Sequence, residues 1–160
     1  PKRDIGIILD MVFNHTSTNH AWFRKAISGD KRYQDYYFFR SGKTPGVPPT
    51  NWASKFGGSA WKYVLSLDKW YLHLFSTEQA DLNWDNIEVR EALKNVLRFW
   101  QRKGVVGFRF DVINLVSKPD SFQDDLGGGW QALLYGWSVY SSVSRRTLSR
   151  LRAEGLPHCG

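Results

Sequence analysis

Two segments of the chain carry nearly unbroken runs of apolar residues at the length of a β-strand. Residues 5–13 read IGIILDMVF, and residues 105–113 read VVGFRFDVI. Continuous rather than alternating hydrophobicity is typical of a parallel strand that is covered on both faces. The first run ends in two polar residues, Asn14 and His15. Because α/β folds place their chemistry at the carboxyl ends of parallel strands, we expect a site at this position.

An amphipathic helix is predicted over residues 86–103, directly before the second strand. Its apolar positions recur at helical spacing and are Val89, Leu93, Val96, Leu97 and Trp100. Asn86 is a suitable N-cap, and Gly104 supplies a stop signal. A helix that leads straight into a strand indicates the second half of a βαβ crossover, and we expect Trp100 to lie in the core.

The connection between the first strand and this helix is unusually long. Residues 16–85 amount to about seventy positions, far more than a βα loop requires. They contain three prolines, the pair Gly57-Gly58 and most of the aromatic residues. We interpret them as an inserted subdomain with short strands, one of them over residues 70–75.

The charge of the chain bears on the choice of partner. The 160 residues carry a net charge of +7, and clustered Lys and Arg would suit nucleic acid. The charges are scattered, however, with net +4 over residues 1–126 and net +3 over residues 127–160. The 16% of aromatic residues suits sugar rings as well as unpaired bases. The scattered charge argues against a nucleic-acid partner.

The length of the chain limits its fold and location. A complete (β/α)₈ barrel needs about 250 residues, so any barrel signal in 160 residues must come from a fragment. No apolar run approaches the roughly 20 residues of a membrane span, and the first residues lack the apolar stretch of a secretory signal. The single Cys159 excludes an internal disulfide. We expect a soluble, cytoplasmic protein without a membrane partner.

Three segments resemble signature segments of the α-amylase superfamily of glycoside hydrolases, in the order and spacing of that family. They read DMVFNHTS (residues 10–17), QADLNW (residues 79–84) and GFRFDV (residues 107–112). Two further stretches, NWASKFGGSAW (residues 51–61) and YLHLF (residues 71–75), extend the match. Within the superfamily the chain is most similar to the oligo-1,6-glucosidase group and leans towards its trehalose 6-phosphate-hydrolysing branch.

The resemblance implies a domain organisation. The fold class is α/β, a partial (β/α)₈ TIM barrel: residues 1–15 would be barrel strand three, 16–85 a subdomain like domain B, and 86–126 helix three and strand four. Residues 127–160 do not resemble the family. An idealised coding string for residues 128–138, read one base later, gives GGRRFYTDGP, which is close to the family sequence after strand four. We therefore hypothesise that this tail is translated out of frame; a divergent natural tail is the alternative.

The resemblance also implies roles for individual residues. Asp111 would be the catalytic nucleophile of a retaining glycosidase. Arg109, two residues earlier on the same strand, would project from the same face and stabilise the ionised carboxylate; without the other motifs, a structural Arg–Asp pair would be the better interpretation. His15 would bind a hydroxyl of the cleaved glucosyl ring, and Val112 would favour α-1,6 or trehalose-type substrates.

The remaining expectations concern support and reaction. Asp10 and Asn14 would support the site, although a merely structural role suits them equally. The acid/base Glu is absent from the chain, so the fragment alone should hydrolyse poorly. We expect no cofactor, while a structural calcium or magnesium ion stays open for the intact relative.

The expected partner is a small carbohydrate, and the oligomeric state is left open. The reaction implied is hydrolysis of trehalose 6-phosphate to glucose and glucose 6-phosphate. The alternatives are cleavage of isomalto-oligosaccharides and a non-catalytic amylase-like scaffold.

Overall fold

The computed structural model describes residues 5–126, and the tail predicted over residues 127–160 lies outside them. The two long apolar runs form a parallel pair of strands, β1 (Ile8–Met11) and β7 (Gly107–Phe110). Ile8 lies opposite Gly107 and Met11 opposite Phe110. Both strands are shorter than predicted, but the pairing continues beyond them through Val106 N–H to Ile7 O at 3.0 Å and Asp111 N–H to Met11 O at 3.0 Å.

The predicted helix is present as α3 (Ile87–Arg102). The Asn86 side chain caps it by accepting from Glu88 N–H at 2.8 Å, as the sequence predicts. Val89, Leu93 and Leu97 are buried. The expectation for Trp100 was wrong: it is 38% exposed, because it lies in the last turn of α3, beyond the part of the apolar face that the other residues of 5–126 cover.

The insertion between β1 and α3 contains two small sheets. In one, β2 (His15–Ser17) pairs antiparallel with β6 (Gln79–Asp81). In the other, β5 (Lys69–Leu72) lies between β3 (Phe39–Arg40) and β4 (Trp61–Val64). The predicted short strands are therefore confirmed.

The insertion also contains two short helices that the pattern did not predict, α1 (Ala21–Ile27) and α2 (Lys31–Gln34). Side chains cap both of them: His20 accepts from Trp22 N–H at 3.2 Å, and Asp30 accepts from Arg32 N–H at 3.1 Å. Three-residue 3₁₀ turns at Leu65–Leu67 and Ile113–Leu115 complete the elements.

The core consists of two aromatic-rich clusters. The larger one joins β1, α1, β6 and α3. The smaller one lies in the insertion and includes Phe38, Trp52 and Trp61. Burial was the better expectation for most of the insertion's tryptophans, since Trp52, Trp61 and Trp84 are 8% exposed or less.

The segment that follows β7 packs on the insertion. The Phe122 ring lies 5.2 Å from the Trp52 ring and 5.7 Å from the Trp61 ring, between centroids. Trp52 Nε1 donates to Gln123 O at 2.8 Å, and Asn51 N–H donates to Asp124 Oδ1 at 2.9 Å. These contacts join the chain beyond β7 to the subdomain inserted after β1. Along residues 5–126, no helix combines the length and apolar character needed to cross a bilayer.

Candidate active site

The carboxyl ends of the two parallel strands bring together an exposed charge cluster of Asp10, Arg109 and Asp111. Asp10 lies opposite Arg109 in the strand register. Arg109 Nη1 donates to Asp10 Oδ2 at 2.6 Å, and Nη2 donates to Asp111 Oδ1 at 3.0 Å. The side chains are 52%, 62% and 39% exposed, respectively. One guanidinium thus orients two carboxylates and leaves both open to solvent and to a ligand.

His15 lies beside this cluster, at the start of β2. Its imidazole Nε2 is 2.8 Å from Gln79 Nε2, and its ring is 5.4 Å from that of Phe75. Burial lowers the pKa of His15 and outweighs the carboxylates of Asp81 and Asp111, which raise it. Of these influences on the pKa of His15, that of Asp111 is the weakest.

A second, buried charge cluster lies behind His15 and consists of Asn14, Asp81 and Lys118. Lys118 Nζ is 2.7 Å from Asp81 Oδ2 and donates to Asn14 Oδ1 at 3.0 Å. Asn14 Nδ2 donates to Asp81 Oδ2 at 3.1 Å, and Leu74 N–H donates to Asp81 Oδ1 at 3.0 Å. Burial lowers the pKa of Lys118, whereas the Asp81 carboxylate opposes that change. The cluster satisfies its own charges without water.

Backbone contacts fix the buried cluster to the strands. Asp81 lies directly opposite His15 in the pairing of β2 with β6, so their side chains share one face of the sheet. Leu82 N–H donates to Asn14 O at 2.9 Å, and Trp84 Nε1 donates to Phe13 O at 2.8 Å. The residues between β1 and β2 are therefore fixed by hydrogen bonds from the segment that follows β6.

The residue after Asp111 has an unusual backbone. Val112 has φ 44° and ψ 33°, in the left-handed region. A β-branched residue rarely adopts this conformation, and such strain concentrates at functional sites. The turn follows Asp111, the first residue after β7, and sends the chain towards Lys118.

An exposed aromatic surface adjoins the imidazole. Phe56 is 72% exposed, and its ring lies 5.9 Å from that of Phe75, which in turn contacts His15. Aromatic faces next to hydrogen-bonding groups suit the C–H faces of a sugar. Between residues 5 and 126, no group of three or more His, Cys, Asp or Glu side chains is arranged to hold a metal ion.

The structure brings together the residues that the sequence singled out. Asp10, Arg109 and Asp111 form the exposed cluster, Val112 follows it, and Asn14 joins the buried cluster next to His15. Sequence reasoning noted Phe75, Gln79 and Asp81 only as parts of the signature stretches, and it gave neither them nor Lys118 a role in the site. One signal in the sequence could have found Asp81, because it is a charged residue between two apolar residues, Ala80 and Leu82.

Comparison with known proteins places these residues in a family. The alpha-amylase family, described as "Alpha amylase, catalytic domain", matches residues 1–142. Trehalose-6-phosphate hydrolase of Escherichia coli (strain K12) is 56% identical over 127 residues, which cover 79% of this chain and 23% of that protein. Oligo-1,6-glucosidase of Bacillus cereus is 48% identical over 120 residues, covering 74% of this chain and 21% of that protein.

A solved structure agrees with the sequence matches. The crystal structure of trehalose-6-phosphate hydrolase from Bacillus licheniformis superimposes with a TM-score of 0.77 at 50% identity, covering 81% of this chain and 24% of that one. The chain thus spans about a quarter of the length of the relatives it matches. Since the family match covers most of the 160 residues, the chain belongs to the alpha-amylase family.

Proposed function

We propose that this chain supplies the nucleophile side of the active site of a retaining α-glucosidase that hydrolyses trehalose 6-phosphate to glucose and glucose 6-phosphate. The observation that carries the proposal is the Asp111 carboxylate. It is held at 3.0 Å by Arg109, lies at the carboxyl end of a parallel strand pair, and acts electrostatically on His15. The similarity to two trehalose-6-phosphate hydrolases supports the substrate.

In the proposed reaction, Asp111 attacks the anomeric carbon of the glucosyl unit that carries no phosphate. The glycosidic C–O bond breaks, the leaving oxygen takes a proton, and glucose 6-phosphate departs. Water then gives a proton to the acid/base group and attacks the anomeric carbon of the covalent glucosyl–enzyme, which releases glucose and restores the Asp111 carboxylate. The proton donor is an acid/base Glu that the family resemblance assigns to a later segment.

Each neighbour of Asp111 has a role in this proposal. Arg109 orients the nucleophile and separates it from Asp10, which shares the guanidinium at 2.6 Å. His15 binds a hydroxyl of the glucosyl ring, and Phe75 offers that ring an apolar face. The Val112 side chain, next to the nucleophile, narrows the space that is left there for the substrate.

We also propose that β1 and β7 are barrel strands three and four of a (β/α)₈ barrel, with α3 as the crossover helix. Apolar side chains exposed on and next to these strands support the idea, because a closed barrel would cover them. They are Ile5, Ile7, Ile8, Val12 and Val106, each at least 45% exposed.

The test is an assay of the enzyme with its full reading frame restored, with trehalose 6-phosphate and isomaltose side by side. We expect trehalose 6-phosphate to be preferred and Asp111→Asn to abolish turnover. Asp10→Asn is the matched control, because it removes the other carboxylate bound to Arg109; it should reduce activity without abolishing it. Turnover retained by Asp111→Asn would refute the nucleophile assignment.

The second candidate is an oligo-1,6-glucosidase, which the similarity to the Bacillus cereus enzyme favours. Preference for isomaltose over trehalose 6-phosphate, with Asp111 still essential, would select it. A folded enzyme with activity on neither substrate would favour the non-catalytic scaffold instead.

A further inference from the structure

The Asn14 amide is held between two opposite charges, and these determine which of its atoms faces His15. Lys118 Nζ donates to Asn14 Oδ1 at 3.0 Å, and Asn14 Nδ2 donates to Asp81 Oδ2 at 3.1 Å. A half-turn of the amide would point its N–H groups at the ammonium and its oxygen at the carboxylate. Asn14 and Asp81 are fully buried and Lys118 is 6% exposed, so water cannot relieve those two repulsive contacts. The amide therefore has one orientation.

The remaining N–H of this amide points at the imidazole. Asn14 Nδ2 lies 3.3 Å from His15 Nδ1, and one of its two hydrogens is already used on Asp81. An amide nitrogen only donates, so His15 Nδ1 must accept. In a neutral imidazole one nitrogen accepts and the other carries the proton. The proton of His15 then resides on Nε2.

Gln79 competes for the other side of the ring. Its Nε2 is 2.8 Å from His15 Nε2, while its Oε1 accepts from Ser76 N–H at 3.0 Å. The neutral ring cannot accept from both amides. Gln79 and Ser76 are only partly buried, so water can replace the Ser76 contact, whereas Asn14 is held by two buried charges. Gln79 is the amide that turns, and it then presents Oε1 to His15 Nε2–H.

We propose that the buried Lys118–Asp81 ion pair, acting through Asn14, holds His15 as its Nε2–H tautomer, so that the ring offers a donor rather than a lone pair to a ligand hydroxyl. Lys118 and Asp81 are positioning residues in this arrangement, and neither has to touch the ligand. The donation to a sugar hydroxyl rests on the proposed function, whereas the tautomer follows from the contacts within the chain.

The tautomer can be read without substrate. In the ¹⁵N-labelled chain at about pH 8, where an ordinary imidazole is neutral, long-range ¹H–¹⁵N correlation spectra distinguish the protonated from the unprotonated ring nitrogen. His15→Asn identifies the His15 signals. His20 is an internal reference, because its Nδ1 accepts from Trp22 N–H and it must be an Nε2–H tautomer as well. We expect His15 to show the pattern of His20; a proton on Nδ1 would overturn the proposal.

Two variants test the role of the ion pair. Asp81→Asn combined with Lys118→Met removes both charges at similar volume, and we expect it to convert the single tautomer into a mixture. Asn14→Asp places an acceptor beside Nδ1 and should move the proton there. Arg109→Met is the matched control, which removes the exposed cation and should leave the His15 pattern unchanged. Unchanged His20 signals report an intact fold.

An unaltered Nε2–H pattern in both variants would overturn the role of Lys118 and Asp81. Because the measurement needs no turnover, loss of the proposed activity and loss of the tautomer are separate outcomes. A protein without glycosidase activity but with the Nε2–H tautomer refutes only the proposed function.

Discussion

The exposed cluster of Asp10, Arg109 and Asp111 and the buried cluster of Asn14, Asp81 and Lys118 differ in their contact with solvent. In the exposed cluster, Arg109 and Asp111 keep 62% and 39% of their side-chain surface in solvent. In the buried cluster, the corresponding figures for Lys118 and Asp81 are 3% and 0%. The exposed cluster lies at the ends of β1 and β7, whereas the buried one joins Asn14, the end of β6 and Lys118.

The exposed cluster is suited to reactivity, and the buried cluster to rigidity. An exposed ion pair contributes little to stability, since water and salt screen it. Its carboxylates are open to a substrate, which is what a nucleophile requires. A buried pair has lost its hydration and depends wholly on its partner. The exposed cluster is suited to chemistry, and the buried cluster to holding that chemistry in place.

The largest expected effect comes from breaking the buried cluster. Lys118→Met leaves the Asp81 carboxylate buried without its cation, and we expect a loss of about 3–5 kcal/mol in the free energy of unfolding. Arg109→Met in the exposed cluster should change that free energy by no more than about 1 kcal/mol. Urea denaturation followed by circular dichroism measures both.

A double variant sharpens this comparison. Asp81→Asn together with Lys118→Met removes both charges, so the penalty for an unpaired buried charge disappears and stability should lie above that of Lys118→Met alone. If the two single variants, Lys118→Met and Arg109→Met, lost equal stability, the distinction between the clusters would fail.

An intermediate effect is expected at Val112, where the chain turns from the exposed cluster towards the buried one. With φ at 44°, a residue with a Cβ is strained, whereas glycine is not. Val112→Gly should therefore be more stable than Val112→Ala by about 1 kcal/mol, the reverse of the usual order in regular structure. Thermal unfolding of the two variants provides the measurement, and the usual order, alanine above glycine, would contradict the strain.

The smallest effect is a pH dependence that originates at His15, between the two clusters. Burial lowers the pKa of His15 in the folded state, although Asp81 and Asp111 oppose this and Lys118 reinforces it. The unfolded chain therefore binds a proton at higher pH than the folded one, and stability falls as the pH drops below about 6.5.

Denaturation of the wild type and His15→Asn between about pH 8 and about pH 5 tests this, because the variant should have the shallower slope. His20→Asn is the comparison: burial lowers the pKa of His20 as well, so this variant should also have a shallower slope, although His20 lies in the cap of α1 and away from both clusters. Equal slopes in the wild type and His15→Asn would contradict the lowered pKa of His15 in the folded protein.

The sequence predicted the elements whose signals are local. The helix α3 follows from its apolar spacing and its cap at Asn86, and the parallel strands follow from two apolar runs. The helices α1 and α2 of the insertion were not predicted because they are too short to show a clear apolar spacing. They begin at side-chain caps, His20 and Asp30, which apolar spacing does not reveal. Trp100 was placed in the core from its position on the helix, yet exposure depends on what packs against that helix.

Some contacts of the candidate site could likewise be predicted from the sequence, and others could not. Asp111 and Arg109 are two residues apart on one strand, so their contact could be predicted from strand geometry. Lys118 and Asp81 are separated by α3 and β7, and no local pattern pairs them. Only the tertiary structure shows that the amide between them, Asn14, faces a histidine.

The docking of Phe122 and Lys118 on the insertion has a consequence for synthesis. A growing chain emerges from its amino terminus, so Trp52, Trp61 and Asp81 leave the ribosome before the residues that cover them. Until Lys118 appears, Asp81 has no cation, and until Phe122 appears, the indole rings of Trp52 and Trp61 lack a contact. Translation must therefore pass β7 before the inserted subdomain can reach its final packing, although most of its residues are made early.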